Sequence, residues 1–571
     1  MARKVRELGV SSEVFPSDTK LERLRSARGV IISGGPHSVY EAASPTIDRE
    51  VLSASIPVLG ICYGQQLIAQ LLGGTVQKGH KGEYGLAILD LHQGPGSNGD
   101  SAILNGVRDH QQIWMSHKDT VAAPPAGFRV LAATATCEVA AIEDPARKLY
   151  GVQFHPEVVH TTEGGRVLRN FVFDICGCKE DWHAGERVAV VEEQIRQRAG
   201  NRNVFFFVSG GVDSTVAFTL CLRALGADRV HGVYVDTGLM REGETDFVES
   251  TFEKLGHGVV DIERAEAEFL TPLETARDPE HKRHIIGEQF VKVQERIIET
   301  RGLLGASWVL GQGTIYPDTI ESGGTANAAT IKTHHNRVPG IQKLMDEGRI
   351  VEPLADFYKD EVRAIGRQLD LPDELLDRHP FPGPGLAIRC LCAEHDEPVT
   401  KTSGGWKIPV KSVGVQGDFR SYAHVLAIES GLNHEEAIDL VNRTDGINRV
   451  IALVAQKQTF ASQQVFASAI TKARIGLLRQ ADAIVRKISH ESGFDAKVWQ
   501  FPVILIPLGA GSEHDSIVLR PIQSVDGMTA DSVPMPGALL AEMSDRLMAL
   551  PAIAGVYYDL THKPPGTIEW E

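Results

Sequence analysis

Cysteine is scarce in this sequence, and its few cysteines form no regular pattern. The 571 residues include 7 cysteines, an odd number that is scattered along the chain. Secreted domains that depend on disulfides instead carry many closely spaced cysteines. The sequence therefore indicates a reducing compartment, and we expect a cytoplasmic protein.

Long apolar runs and an excess of basic residues are absent as well. No apolar run reaches the about 20 residues that a membrane-spanning helix needs, and the basic start at Met1–Arg6 leads to Glu7 and Gly9 rather than to an apolar signal core. Lys and Arg number 58 against 74 for Asp and Glu, which gives a formal net charge of -16. This acidic balance argues against a nucleic acid or a membrane surface as partner, and we expect neither.

The chain is long enough for several domains of ordinary globular composition. Its length allows about three or four domains, and its hydrophobic content of 42% and charged content of 23% are typical of globular proteins. Apolar strand-like runs alternate with helical patterns, which predicts an α/β fold. We divide the chain into three regions, 1–181, 182–389 and 390–571.

A glycine-rich stretch between a strand and a helix is the strongest signal for chemistry. The apolar run Asn203–Val208 predicts a buried strand, and Val216–Leu225 predicts a helix that ends at Gly226. Glycines at such a turn leave backbone N–H groups open to an anion at the helix N-terminus. Asp213 would repel a phosphate unless a cation intervened, so we interpret it as a Mg²⁺ ligand. The loop consists of Ser209, Gly210, Gly211, Val212, Asp213, Ser214 and Thr215.

This loop lacks the Walker pattern, and an ordinary glycine-containing turn is the alternative interpretation. Its sequence resembles the SGGxDS loop of the ATP pyrophosphatases. The resemblance implies that the loop binds the β,γ-pyrophosphate of ATP, together with Mg²⁺, while the α-phosphate is attacked.

A thiol at another turn between a strand and a helix is the second signal. Ile56–Ile61 predicts a strand and Tyr63–Leu72 a helix, so Cys62 lies at a helix N-terminus, which favours the thiolate form. Downstream, His155 and Glu157 would point to the same side of an extended segment. One imidazole could then deprotonate the thiol while the carboxylate orients the imidazole. Either motif alone could equally be structural.

Together these two motifs resemble the class I glutamine amidotransferases, which have a GxCxGxQ elbow and a later HPE sequence. The resemblance implies that Cys62 is the nucleophile, that His155 is the general base and that Glu157 is the partner of His155. It also implies an oxyanion hole made by the backbone N–H groups of Gly35 and Tyr63. The positions that it places around bound glutamine are Gln66, Ser116 and His117.

A second polar stretch follows the predicted strand Ser307–Leu310. Asp318 and Glu321 in this stretch are either surface carboxylates or contacts to a metal or an adenylate. Beyond them, the Gly-rich and polar segment 331–336 is typical of a mobile lid. Adjacent histidines point in different directions, so separate hydrogen bonds are favoured over a metal site.

The last region combines polar, Gly/Pro-rich segments with one long helical pattern. The polar segments are 411–422, 520–531 and 563–571, and the helical pattern spans Gln464–Ser492. We interpret the apolar stripe of this helix either as core or as a face between subunits.

All three regions, in this order, resemble the glutamine-hydrolysing GMP synthetases over essentially the whole chain. Besides the motifs above, the marks are GGPHSVY at 34–40, IKTHHN at 331–336, HPFPGPGLAIR at 379–389 and KPPGTIEWE at 563–571. The resemblance implies a class I glutamine amidotransferase domain at 1–181, a doubly wound ATP pyrophosphatase domain at 182–389 and an α+β substrate-binding and dimerisation domain at 390–571.

The resemblance also implies a reaction and its contacts. Xanthosine monophosphate (XMP) would be adenylylated by Mg-ATP at its C2 oxygen, and ammonia from glutamine would then displace AMP to give GMP. The residues implied to contact XMP are Arg283, Asp418, Gln500, Lys563 and Glu569, and those of the lid are Lys332, His334 and His335.

Two departures from the family pattern qualify these expectations. Residues 421–519 resemble an insertion found in the longer, eukaryotic form, so the homodimer that we expect is less secure. The family also has an apolar strand and a DFGSQ-like turn before the helix that matches Met1–Leu8. That strand is absent here, and we therefore expect the native product to begin upstream.

Two rival interpretations come from other functions. One is another amidating ATP pyrophosphatase, such as an NAD synthetase or a tRNA-modifying enzyme. The other is a nucleotide-binding protein that has lost turnover, although the presence of Cys62, His155, Glu157 and Asp213 disfavours it.

Overall fold

The computed structural model describes residues 1–41, 43–92, 101–254, 260–323, 338–379, 381–416, 419–429, 434–511, 514–524 and 529–571. These residues form two units, one built on Met1–Ala184 and the other on Gly185–Thr319 and most of the residues beyond. Each unit is described separately below. The predicted division of the second unit near residue 389 stays a prediction.

A seven-stranded sheet forms the centre of the first unit. Its strands are β1 (Val30–Ile32), β2 (Val58–Ile61), β3 (Thr75–Leu91), β4 (Gln111–Ala123), β5 (Arg129–Ala133), β6 (Ala141–Asp144) and β7 (Leu149–Val152), and its helices are α1 (Ala2–Glu7), α2 (Leu21–Leu24), α3 (Tyr63–Leu71) and α4 (Gly164–Arg169). The strand order is β1-β2-β7-β6-β5-β3-β4. Strands β1, β2 and β7 are parallel, so their carboxyl ends lie at the same edge of the sheet.

Two glycines explain the tight turn that leads from β2 into α3. A Cβ atom on Gly60 would lie 2.5 Å from the carbonyl carbon of Gly64, and a Cβ atom on Gly64 would overlap the carbonyl oxygen of Ile32. Such approaches are possible only where no side chain intervenes. Glycine is therefore required at positions 60 and 64, because a side chain there would clash where α3 passes close to β1.

The second unit begins with a parallel five-stranded sheet. Its strands are β8 (Asn203–Val208), β9 (Val230–Asp236), β10 (Val260–Arg264), β11 (Trp308–Gly311) and β12 (Ile350–Val351), and its helices are α5 (Val188–Ala199), α6 (Val212–Leu225), α7 (Glu244–Lys254), α8 (Glu266–Leu273), α9 (Pro279–Thr300), α10 (Tyr316–Gly323), α11 (Pro339–Asp346), α12 (Lys359–Gln368) and α13 (Asp373–Leu376). The order β10-β9-β8-β11-β12 reverses direction between β8 and β11. Ligands of doubly wound sheets bind at such a reversal, at the carboxyl ends of the strands.

A mixed seven-stranded sheet dominates the rest of the second unit. The strands are β13 (Glu397–Pro398), β14 (Thr400–Thr402), β15 (Gly405–Gln416), β16 (Phe419–Ile428), β17 (Ile447–Gln456), β18 (Gln464–Val465), β19 (Val503–Ile506), β20 (Leu508–Gly509), β21 (Asp515–Leu519), β22 (Ile522–Gln523), β23 (Asp531–Ser532) and β24 (Ile553–Asp559), and the helices are α14 (His434–Arg443), α15 (Lys472–Glu491) and α16 (Gly537–Met548). The large sheet has the order β14-β15-β16-β17-β24-β21-β19. The predicted α/β class, with an α+β region at the end, is confirmed.

Two predicted helix boundaries are wrong. Helix α6 begins at Val212 rather than at Val216, because Gly211 is already the extended residue that precedes the first turn. Helix α15 begins at Lys472 rather than at Gln464, because the Thr471 side chain accepts a hydrogen bond from the Arg474 N–H and caps the helix there. The apolar residues Ile475, Leu478, Val485 and Ile488 of α15 lie in the core of the second unit, which supports the core interpretation of this stripe.

Within the described ranges, no helix is both long enough and apolar enough to cross a bilayer. Most of the helices instead bury apolar residues against the sheets of their own unit. In the first unit the largest core cluster includes Leu59, Ile61 and Cys62, so the candidate nucleophile is attached to the best-packed part of that unit.

Gly64→Ala is expected to destabilise the first unit by at least about 1–3 kcal/mol, the usual cost of overpacking a core position. The new methyl group would overlap the Ile32 carbonyl oxygen. Differential scanning calorimetry measures the effect as a lower unfolding temperature. Gly165→Ala is the matched control, because a Cβ atom at this position in α4 meets nothing within 4 Å. Equal unfolding temperatures for the two variants would contradict the steric explanation.

Candidate active site

Cys62 lies at the sharp turn between β2 and α3 in a strained backbone conformation. Its φ of 52° and ψ of −107° are unusual for a residue with a side chain. The backbone N–H of Cys62 donates to Val152 O at 2.8 Å, which ties the turn to β7. The Cys62 Sγ atom lies 3.6 Å from the carbonyl oxygen of Ser116 on β4. The thiol is therefore held at the N-terminus of α3, as the sequence predicts.

His155 and Glu157 lie on the segment that follows β7, next to the end of β2. The His155 Nδ1–H donates to Glu157 Oε1 at 2.9 Å. The His155 backbone is fixed as well, since its N–H donates to Trp114 O at 3.1 Å. A Cβ atom on Gly34 would lie 3.1 Å from His155 Cε1 and 3.5 Å from Cys62 Cβ. The structure thus brings the imidazole and the thiol together at one glycine.

The charges of this group favour a protonated imidazole. Burial alone lowers the pKa of His155, but Cys62 and Glu157 outweigh burial and raise the pKa from 6.5 to about 10. Burial likewise raises the pKa of Glu157, but the hydrogen bond and the charge of His155 dominate and lower it overall. A pKa of about 10 keeps the imidazole protonated at neutral pH, and the hydrogen bond to Glu157 fixes the ring.

The two predicted oxyanion-hole residues also meet beside Cys62. Tyr63 is the first residue of α3, and Gly35 follows the end of β1. A Cβ atom on Gly35 would lie 3.9 Å from Tyr63 Cγ, so Gly35 is next to the Tyr63 side chain. Backbone N–H groups at a helix N-terminus can stabilise the oxyanion that develops on a carbonyl under attack.

The three predicted glutamine-contact residues lie around the same turn, but two of their side chains have protein partners. Gln66 is buried, and its Nε2 donates to Asp119 O at 2.7 Å and to Gln153 Oε1 at 3.1 Å. His117 is also buried, with Nδ1 3.0 Å from Asp119 O and Nε2 3.3 Å from a carboxylate oxygen of Glu83. Ser116 is exposed on β4, with its carbonyl towards Cys62.

In the second unit, the predicted phosphate loop comprises the link 209–211 between β8 and α6 and the first turn of α6. Gly210 has a φ of +74°, and a Cβ atom there would lie 2.6 Å from Val248 Cγ2. The hydroxyl groups shape the loop from within. Ser209 Oγ and Ser214 Oγ are 2.9 Å apart, and Thr215 Oγ1 donates to Gly211 O at 2.9 Å.

The end of β11 packs directly on this loop. A Cβ atom on Gly313 would lie 2.9 Å from the backbone nitrogen of Ser214. The loop therefore lies at the reversal of strand order between β8 and β11, where a nucleotide is expected. Asp318 caps its own helix through a bond from the Ile315 N–H at 3.2 Å, and the Glu321 side chain lies outside the described residues.

Asp213 has a cationic partner that the sequence analysis missed. Lys359 Nζ lies 2.5 Å from Asp213 Oδ2, at the start of α12. The other carboxylate oxygen, Asp213 Oδ1, is buried and has no hydrogen-bond partner. An oxygen of this kind is the ligand type that Mg²⁺ prefers, so the donor set fits the predicted metal. No sequence spacing links the two residues, because they are 146 positions apart.

Three of the residues predicted to contact XMP, Arg283, Lys563 and Glu569, belong to the terminal segment of the chain or contact it. Arg283 donates to the main-chain oxygen of Glu571. Gln500 pairs with Ile522 through the backbone, and its buried Oε1 has no hydrogen-bond partner. Lys563 pairs with Ala530 through the backbone. The predicted residues Asp418, Lys332, His334 and His335 lie outside the described residues.

Glu569 is held by a fully buried arginine. Arg389 donates from Nε to Glu569 Oε2 at 2.8 Å and from Nη2 to Glu569 Oε1 at 2.6 Å. A bidentate pair of this type fixes the carboxylate in one orientation. Glu569 can therefore contact a ligand only through its remaining lone pairs.

Two further buried arginines hold the segment that carries Lys563 and Glu569. Arg449 and Arg520 both donate to Asp559 Oδ2, at 2.9 and 2.6 Å. Both also bind main-chain oxygens of the terminal segment, including Thr567 O. Burial, together with Arg520, lowers the pKa of Arg449 to about 9 although Asp559 opposes the shift, so Arg449 stays charged at neutral pH.

Three family models match successive parts of the chain. The family model described as glutamine amidotransferase class-I matches residues 1–175, the NAD synthase model matches residues 184–285, and the GMP synthase C-terminal domain model matches residues 487–570. A glutamine-hydrolysing GMP synthase of Syntrophomonas wolfei is 39% identical over 582 residues, which span 100% of this chain and 96% of the relative. Its counterpart in Geobacillus kaustophilus is 37% identical over 582 residues, with the same two shares.

Among solved structures, a glutamine amidotransferase of Thermotoga maritima is similar to part of the chain. It is 22% identical, with a TM-score of 0.26, and the match covers 31% of this chain and 91% of the other.

Glu157→Gln is expected to lower the pKa of His155 below its value of about 10, because the variant removes an anion that raises it. NMR of ¹³C-labelled histidine measures this titration. The folded-state pKa exceeds 6.5, so the His155 contribution to the free energy of unfolding is complete below pH 6.5 and is lost as pH rises towards 10. In Glu157→Gln the contribution of His155 to the free energy of unfolding should be fully lost at a lower pH.

The exposed carboxylate Glu138 provides the matched control for this titration. Glu138→Gln should leave the His155 titration unchanged. A His155 titration that is the same in Glu157→Gln as in the unmodified protein would show that Glu157 does not hold the proton on the imidazole.

Proposed function

The chain belongs to the family of glutamine-hydrolysing GMP synthases, and we propose that the residues described above perform the two half-reactions of this ligase. The enzyme converts XMP, ATP, glutamine and water into GMP, AMP, pyrophosphate and glutamate. The residue assignment rests on one observation. Cys62, His155 and Gly34 lie next to one another at the carboxyl ends of three parallel strands.

Glutamine hydrolysis is proposed to begin when His155, as general base, takes the proton of the Cys62 thiol and the sulfur attacks the side-chain carbonyl of glutamine. A carbon–sulfur bond forms, and the negative charge on the carbonyl oxygen is stabilised by the N–H groups of Gly35 and Tyr63. His155 gives its proton to the departing nitrogen, so ammonia leaves and a thioester remains. His155 then takes a proton from water, which hydrolyses the thioester to glutamate.

Gln66, Ser116 and His117 are proposed to surround the bound glutamine. The protein partners of Gln66 and His117 support roles in which these side chains fix the pocket wall, while backbone groups of β4 contact the substrate. Exposed Ser116 is the member of this group whose side chain is open to a ligand.

The phosphate loop 209–215 is proposed to hold the β,γ-pyrophosphate of ATP through its backbone N–H groups. The C2 oxygen of XMP attacks the α-phosphorus, a bond from oxygen to phosphorus forms, and pyrophosphate leaves. Ammonia then attacks C2 and AMP leaves with the oxygen. Mg²⁺ at Asp213 would supply positive charge to the phosphates, and Lys359 adds a fixed cation beside them.

The XMP phosphate is proposed to contact the cations Arg283 and Lys563, which are of the type that binds phosphate. The buried, unpartnered Oε1 of Gln500 supports a hydrogen bond to the substrate. Glu569 would act in the orientation that Arg389 gives it. Asp418 and the lid residues Lys332, His334 and His335 complete the proposal on sequence grounds.

The domain boundaries, the location and the assembly state are also proposals. We propose domains at 1–181, 182–389 and 390–571, a cytoplasmic enzyme, a homodimer, and no membrane or nucleic-acid partner. The scarcity of cysteine and the net charge of -16 support the location and the lack of these partners. Sedimentation equilibrium measures the assembly state.

Cys62→Ala is expected to abolish GMP formation from glutamine and to leave GMP formation from ammonium chloride unchanged. The variant removes only the proposed nucleophile, whereas adenylylation uses the second unit. An assay of GMP formation with each nitrogen source tests this. Cys137→Ala is the control, because this buried thiol lies in the same unit but not at a strand-to-helix turn. Glutamine-dependent activity that survives in Cys62→Ala would refute the assignment.

Asp213→Asn is expected to slow GMP formation from both nitrogen sources by about a hundred- to a thousand-fold, the usual cost of one lost electrostatic contact in an active site. The variant removes the carboxylate charge assigned to Mg²⁺ and to Lys359. Exchange of radioactive pyrophosphate into ATP in the presence of XMP measures the adenylylation step directly. The exposed Asp228→Asn serves as the control. Near-normal exchange in Asp213→Asn would exclude a role for its charge.

A further inference from the structure

The loop that follows β1 carries Gly34 and Gly35 to the Cys62 turn. Beyond these glycines, Val39 is buried against Tyr63 and Leu67, which fixes the loop on α3. The next residue, Tyr40, is different, because this large aromatic residue is 47% exposed. Its position is therefore not explained by burial of its ring.

The hydroxyl group of Tyr40 makes a specific long-range contact. It donates to Asp119 Oδ1 at 2.9 Å, across 79 positions of sequence. Asp119 is only 5% exposed and lies on β4, the strand that also carries Ser116 and His117. A hydrogen bond to a carboxylate that is shielded from water is among the stronger neutral-to-charged contacts.

The main chain of Asp119 contacts two further residues of the glutamine site. Its carbonyl oxygen accepts from Gln66 Nε2 at 2.7 Å and faces His117 Nδ1 at 3.0 Å. One residue therefore joins the loop after β1, helix α3 and strand β4. All three elements adjoin the Cys62 turn, as does the segment that carries His155.

We propose that Tyr40 and Asp119 are positioning residues for glutamine hydrolysis. Their hydrogen bond ties the loop of Gly34 and Gly35 to β4, so that the Gly35 N–H stays aimed at the carbonyl oxygen of the bound glutamine. This inference rests on the proposed roles of Cys62, Gly35 and Tyr63. The Tyr40–Asp119 hydrogen bond involves neither the motif around Cys62 nor the motif of His155 and Glu157.

The kinetic consequence follows from when the oxyanion forms. The charge on the carbonyl oxygen develops in the transition state, so a misplaced N–H group lowers kcat and leaves glutamine binding nearly unchanged. Loss of the hydroxyl group removes the polar contact of this loop with β4, while the neighbouring Val39 still packs on Tyr63 and Leu67. A shift of about 1 Å in a catalytic group can cost about a hundred-fold in rate.

The decisive variant is Tyr40→Phe in the full chain, which removes one oxygen atom from an exposed ring. We expect kcat for glutamine hydrolysis to fall about 10- to 100-fold, with KM for glutamine within about twofold. GMP formation from ammonium chloride should not change. Ser12→Ala is the matched control, because it removes another hydroxyl group of the first unit, one that donates to Ala2 O at 2.9 Å.

Variants of Asp119 distinguish the hydrogen bond from packing. Asp119→Asn keeps an acceptor oxygen and should retain most of the activity, whereas Asp119→Leu removes the acceptor and should resemble Tyr40→Phe. The double variant Tyr40→Phe/Asp119→Leu should lose no more activity than the worse single variant, because both changes break the same bond. If Asp119→Leu does not fold, Tyr40→Phe decides alone.

The rate of alkylation of Cys62 by iodoacetamide distinguishes loss of positioning from a general structural defect, because only a structural defect would change this rate. This reaction needs the thiol beside His155 but forms no oxyanion. Tyr40→Phe should therefore react at the unmodified rate while its turnover falls. Unchanged kcat, a raised KM at constant kcat, or slowed alkylation would each overturn the proposal. Glutamine hydrolysis that persists in Cys62→Ala would instead refute the proposed function on which it rests.

Discussion

Backbone segments at both sites approach each other more closely than a side chain would permit, and the positions of the starts of α3 and α6 depend on these approaches. In the first unit Gly64 crosses the Ile32 carbonyl, and in the second Gly313 packs on the backbone of Ser214. Close crossings of this kind fix the start of a helix against the end of a neighbouring parallel strand. The partial positive charge of each helix N-terminus is thereby aimed at one spot, where a thiolate or a phosphate is stabilised.

Buried charges have a different task in the rest of the second unit, where they hold chain segments rather than ligands. Asp559 lies between Arg449 and Arg520, and all three side chains are fully buried. Burial of charges is costly unless each one is paired and hydrogen-bonded, and this cluster meets that condition through the main-chain oxygens of the terminal segment. The arginines therefore support the segment that presents Lys563 and Glu569, and they need not contact the substrate themselves.

The parts of the sites that could be predicted from the sequence are those encoded within a few positions. The Cys62 turn, the His155–Glu157 pair and the loop 209–215 each combine a strand, a turn and a helix start in one short motif, and the structure has each of them at the end of a parallel strand. The contacts of Lys359 with Asp213 and of Arg389 with Glu569 could not be predicted, because they span 146 and 180 positions and arise from topology. The predicted starts of α6 and α15 differ from the observed starts for a local reason. Gly211 and Thr471 occupy the positions just before these helices, and this local geometry outweighs the apolar periodicity.

Both sites also hold their charges in place before any substrate binds, and this arrangement bears on how the chemistry starts. In the first unit Cys62 and Glu157 raise the pKa of His155 to about 10, so the imidazole is protonated at neutral pH. In the second unit Lys359 neutralises one oxygen of Asp213 and leaves the other without a hydrogen-bond partner. A site whose dipoles and charges are oriented in advance needs little reorganisation in the transition state. The contacts that hold these side chains in place are therefore also the contacts that orient them.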